Sequence, residues 1–177
     1  MEIACIPGSR KVSPDTEGNE TMTIWVDADA CPKPVKEILF RVAVRDGIRV
    51  IFVANQRLRV PSSPHIGSIQ VPAGFDVADR EIARLAQRGD LVISADIPLA
   101  STVVNNGCLV LGPRGDIYDT SNVQEALTSR NFMDEIRGAG TQTGGPRPFT
   151  RSDHERFSNS LARILSGRHS PGDEGWD

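Results

Sequence analysis

The chain has no apolar run approaching the roughly 18 residues that a membrane-spanning helix needs, and no apolar segment follows a basic start. Neither a transmembrane helix nor a secretory signal is expected, and a soluble cytoplasmic protein fits. Cysteine is scarce: Cys5, Cys31 and Cys108 form no CxxC pair and are odd in number, which argues against a zinc knuckle and a disulfide framework. His65, His154 and His169 show no metal-ligand spacing, and no GxxxxGK[ST] phosphate loop occurs. Aromatic residues make up only 5%, with Trp25 expected in the core, so no stacking set for nucleobases stands out. Lysine runs out at Lys36.

What is present is an ordinary 38% of apolar residues over 177 positions, enough for one domain with a real core. Residues 1–21 are polar and rich in breakers and read as a disordered extension, with Met22 offering a second translation start. Residues 167–177 read as a disordered tail, leaving a single domain over 22–166. Each end is net −2, so the domain holds 17 basic against 16 acidic residues, and the whole-chain value of −3 does not exclude a polyanionic partner.

Within the domain, strands are expected at Thr23–Val26, Ile48–Val53, Ser68–Val71, Leu91–Ser94 and Cys108–Leu111. Helical spacing marks the segment from Pro32 and Pro34 to Gly47, then Asp76–Arg88, Pro98–Asn106 and Asn122–Arg137. A loop is expected over Gly138–Pro148. Thr150 and Asp153 stand in capping-box spacing ahead of a last helix that carries Phe157, Leu161, Ile164 and Leu165 on one face. Strands alternating with helices predict an α/β fold, a single three-layer domain with a mainly parallel sheet.

In such sheets ligands bind beyond the carboxyl ends of the strands. Those ends carry Asp27 and Asp29, then Asn55, then Asp76 and Asp79, then Asp96. Carboxylates at that density repel unless a cation lies between them, and oxygen-only donors suit Mg²⁺ or Mn²⁺. Such ions support phosphodiester hydrolysis. The plainer alternative is that each Asp caps a helix; Asp76, standing where a helix should start, is the most open to it. Arg57, Arg59 and Arg114 follow strands at the same rim and are candidates to grip phosphate. Cys31, ahead of Pro32, is expected to pack rather than react, and Gly112–Gly115 reads as a tight turn with a weak claim to a phosphate cradle.

The run Trp25-Val-Asp-Ala-Asp-Ala-Cys-Pro32 is one motif, with Val53-Ala-Asn55, Asp76-Val-Ala-Asp79 and Gly89-Asp-Leu-Val-Ile-Ser-Ala-Asp-Ile-Pro-Leu-Ala100 as others. Together with Gly144-Gly-Pro146 ahead of Phe157, they resemble the YaiI/YqxD family of bacterial proteins, which is similar to PIN-like domains. That resemblance implies metal-dependent nuclease chemistry. Asp27 and Asp96 match the two metal ligands at strand ends, Asp79 or Asp76 stands in for the mid-chain acid on a helix, and Asp29 is a further ligand. PIN nucleases commonly place Glu on that helix, and Asp reaches less far.

The expectation is a Mg²⁺- or Mn²⁺-dependent phosphodiesterase acting on RNA. Asp27, Asp79 and Asp96 would be catalytic, with Asp29 and Asp76 completing the metal set, and Asn55, Arg57, Arg59 and Arg114 would contact substrate. A haloacid-dehalogenase-like phosphatase is a second reading, with Asp27 as nucleophile and Asp29 as acid, but no lysine follows Lys36 to serve it. A non-catalytic RNA- or partner-binding module is a third.

Overall fold

The apolar runs of this chain are short and show no polar alternation, the pattern of strands covered on both faces. A computed structural model describes residues 22–138 and 147–167. The expected extension over 1–21, the tail beyond Gly167 and the loop segment 139–146, including Gly144-Gly-Pro146, lie outside the described residues. The strands are β1 (Thr23–Asp27), β2 (Arg49–Ala54), β3 (Ile66–Gln70), β4 (Leu91–Ile93), β5 (Leu109–Leu111) and β6 (Ile117–Tyr118). They form one sheet in the order β3-β2-β1-β4-β5-β6, parallel throughout except for β6.

The helices are α1 (Lys33–Asp46), α2 (Val77–Leu85), α3 (Ile97–Asn105), α4 (Val123–Gly138) and α5 (Arg151–Leu165). Alternation along β1 divides the core in two. Ile24 and Val26 share one face with Phe52 and Ile93 and pack against Leu39 of α1 and Phe157 and Leu161 of α5. Trp25 faces the other way and joins Val53, Val92, Ile82 of α2, and Leu99 and Val103 of α3. The result is a three-layer α/β domain. Pro34 in the first turn of α1 lacks an N–H that has no helical partner there, and Gly47 closes the helix at φ 66, where a side chain would be strained.

The element boundaries shift where a side chain competes for the backbone. α2 stops at Leu85 rather than Arg88, because Ala86 turns extended and the Gln87 N–H donates to the Asp90 carboxylate at 2.9 Å. β3 begins at Ile66, two residues before the expected start. β6 was not expected at all. It is a two-residue strand returned by a turn in which Gly112 N–H donates to Asp116 O and Gly115 N–H to Gly112 O. A Cβ on Gly115 would stand 2.7 Å from the Arg156 backbone, so this turn is packed against α5.

Two buried carboxylates tie the layers together. Asp90, at the start of β4, accepts from Thr23 N–H, Trp25 Nε1–H and Gln87 N–H, joining β1 to the end of α2. Asp153, 1% exposed, completes the capping box with Thr150 and receives both Arg147 and Arg114, which holds its carboxyl below the usual range. Asp90→Ala strands three donors in or near the core and should destabilise the chain by about 3 kcal/mol. The check is the urea unfolding midpoint; an unchanged midpoint would contradict this role for Asp90.

Candidate functional site

From β1 the sheet grows to one side through β2 and β3 and to the other through β4 and β5, so the order reverses between β1 and β4. That reversal opens a crevice beyond the carboxyl ends of the two strands. Asp27 ends β1 on the same face as Trp25, which is the face that α2 and α3 cover. Val26 is in register with Ile93, which places Ser94 beside Asp27. The Ser94 hydroxyl donates to Asp27 Oδ2 at 3.4 Å and accepts the Asp96 N–H at 3.0 Å. One buried serine thus links the acidic ends of both central strands.

Asp96 is the N-cap of α3, its Oδ1 accepting Leu99 N–H at 2.8 Å. Asp79 lies in the first turn of α2. Asp76 holds the N-cap position of α2 yet does not cap it; it adopts a left-handed φ of 59°, and its carboxylate hydrogen-bonds with Asp79 instead. The helix-cap alternative therefore describes Asp96 and fails for Asp76. Asp29 accepts the Asn55 N–H at 2.8 Å, bridging the loops after β1 and β2.

These carboxylates sense one another. Burial raises the pKa of Asp27, which is 8% exposed, and Asp29 and Asp96 add to the rise, while the Ser94 hydrogen bond opposes it. Asp79 is pushed up to about 6, first by burial and then by Asp96, Asp27 and Asp76. Two adjoining clefts meet here. One, of about 260 Å³, is lined by Asp27, Asp29, Asn55, Asp76 and Asp79; the other, of about 390 Å³, by Asp76, Asp79, Asp96, Phe75, Arg80 and Arg130 among others. Among the described residues no three His, Cys, Asp or Glu side chains stand close enough to form a ready-made metal site.

Asp27, Asp29, Asn55, Asp76, Asp79 and Asp96 are thus brought to one rim. The arginines divide differently. Arg57 and Arg59 are exposed on the loop after β2 and line neither cleft. Arg114 is committed elsewhere: it donates to Asp153 at 2.6 Å and to the Arg147 and Pro148 carbonyls, with its guanidinium 5.9 Å from the Phe149 ring centre. Cys31 packs in the core, and burial pushes its thiol up to about 12, so no thiolate forms there. Sequence reasoning missed Ser94, although it stands between the apolar strand and Asp96. It also missed Phe75, Arg80 and Arg130, which no spacing rule connects.

Fold and site together define a doubly wound α/β protein with an acidic double cleft at its topological switch point. The chain belongs to the YaiI/YqxD family: the family model described as "Uncharacterized BCR, YaiI/YqxD family" matches residues 25–167. A UPF0178 protein of Herminiimonas arsenicoxydans is 57% identical over 145 residues, covering 82% of this chain and 97% of the relative. One from Janthinobacterium sp. is 55% identical over 151 residues, covering 85% and 100%, and one from Cronobacter sakazakii is 54% identical over 147 residues, covering 83% and 97%. No solved structure matches the chain.

The raised Asp79 pKa fixes a pH dependence. Between its ordinary 3.8 and about 6 the folded chain keeps a proton that the unfolded chain has released, so this group makes metal-free stability fall as pH rises through that window. Asp79→Asn should raise metal-free stability near neutral pH by about 1 kcal/mol, a figure reduced for solvent screening at a half-buried position. The gain should shrink below about pH 4, where the carboxyl is protonated in both states. Equal urea midpoints for both proteins at neutral pH would refute the repulsion.

Proposed function

We propose that this chain is a Mg²⁺- or Mn²⁺-dependent phosphodiesterase acting on RNA. The observation that carries the reading is the convergence of Asp27, Asp79 and Asp96, from β1, α2 and α3, on adjoining clefts at the switch point. The likeness of the motifs to PIN-like nucleases points the same way.

The donor set fits a hard cation in kind, since every candidate is a carboxylate or amide oxygen. Asp29 and Asp96 each already hold a backbone N–H, so neither is a free ligand in full. An ion such as Mg²⁺ keeps several waters and takes one or two carboxylates together with substrate phosphate, so three preassembled acids are not required. Asp27, Asp79 and Asp96 would hold it, with Asp29 and Asp76 around them. When bound, such an ion activates water and offsets charge on the leaving oxygen.

The chain's own residues prepare that site. Ser94 fixes Asp27 against the backbone of Asp96, so the two strand-end acids keep one spacing. The first turns of α2 and α3 place partial positive charge beside Asp79 and Asp96 and temper their repulsion. Asn55, held through its N–H by Asp29, closes the smaller cleft. Arg57 and Arg59, exposed after β2, supply positive charge for an incoming strand.

Asn is as good an N-cap as Asp, so Asp96→Asn should leave α3 intact. In calorimetry Mn²⁺ should bind the wild type and not the Asp27→Asn, Asp96→Asn double variant. Cleavage of single-stranded RNA should fall about 10²-fold or more in each single variant. Full turnover in both single variants would sink the mechanism. RNA binding that survives excess chelator, with no cleavage at any metal concentration, would instead identify a non-catalytic module.

A further inference from the structure

The larger cleft carries groups for which the acidic rim alone has no use. Phe75 is 89% exposed at its edge, in the turn between β3 and α2, immediately before the left-handed Asp76. A non-glycine residue in that conformation is strained, and strain of this kind is kept where the surrounding structure enforces it. Arg80 meets this corner: its Nε donates to Asp76 O at 3.4 Å and its Nη2 to Phe75 O at 3.2 Å. The guanidinium thus joins the corner that carries the exposed ring, and it has further N–H donors beyond these two, in a residue that lines the cleft. Arg130 lines the same cleft from α4, engaged with Asp134 at 3.7 Å in a half-exposed pair of the kind worth little.

Beside Asp76, Asp79 and Asp96 on its inner edge, the cleft presents an exposed ring, two arginines and a floor that includes Pro98 and Leu99. An apolar peptide would leave both guanidinium groups unused. A free phosphate would leave the ring unused. A single nucleic-acid strand uses all of them, because any base stacks on an aromatic face and its flanking phosphates match the arginine fork.

We infer that the cleft is a subsite for single-stranded RNA, with one base on the Phe75 ring and adjacent phosphates on Arg80 and Arg130. A strand seated there would pass the edge formed by Asp79 and Asp96. The inference rests on the nuclease reading for what happens to the strand afterwards; the ring and the two arginines are contacts that the strand would make without a metal.

The test is fluorescence anisotropy with a short labelled single-stranded RNA in excess chelator, beside a cleavage assay in Mn²⁺. Phe75→Ala should weaken binding about tenfold, and Phe75→Trp should restore it. Arg80→Ala with Arg130→Ala should weaken binding and flatten the salt dependence by about 1.4 log units per log unit of salt, for two lost phosphate contacts on a single strand. Because Phe75 is exposed, its replacement leaves the core untouched. If wild type cleaves RNA while none of these variants changes affinity, the subsite is wrong and the nuclease reading stands. If the wild type shows no measurable affinity, the subsite is also overturned. Phe75-dependent binding without cleavage by any protein supports the subsite and counts against the nuclease reading.

Discussion

Repulsion among carboxylates at one point of the sheet is the constraint on which the rest of this structure turns. The parallel crossovers bring β1 and β4 side by side, β1 ending in Asp27 and β4 leading into Asp96 at the start of α3, and the helix that follows β3 delivers Asp79 to the same rim. Burial and mutual charge raise the pKa of both Asp27 and Asp79, so the chain carries a local cost in the absence of a counter-charge.

The contrast with the other buried acids sharpens the point. Asp90 meets three N–H donors, and Asp153 meets two arginines and its own capping box. These carboxylates are satisfied from within and hold layers together. Asp27 has the Ser94 hydroxyl at 3.4 Å and the Ala30 N–H set against the charges of Asp29 and Asp96, and Asp79 hydrogen-bonds with another acid, Asp76. Asp27 and Asp79 thus differ from Asp90 and Asp153 in their partners, whereas Asp29 and Asp96 each accept a backbone N–H.

That difference explains what could be read from sequence. Asp27 and Asp96 were legible because each terminates an apolar run, and in an α/β pattern strand ends share a rim. The layers were legible from the apolar period of the helices and the apolar runs of the central strands β1, β2 and β4. The fate of Arg114 was not, because its partner Asp153 lies 39 positions away and is met only through the packing of α5. Ser94 depends on the β1–β4 register, and β6 on a turn too short to carry any period. Phe75 reads as an ordinary apolar residue until the left-handed Asp76 beside it shows the ring turned outward.

The repulsion at the switch point is read most directly by an NMR titration of the Asp79 side-chain carboxyl in the metal-free protein, repeated with saturating Mg²⁺. The metal-free group should titrate near 6, raised by burial and by the neighbouring carboxylates, and the added ion should move the transition to lower pH. A metal-free transition at the ordinary 3.8, unmoved by the ion, would contradict both the crowding of the acids and their role in holding a cation.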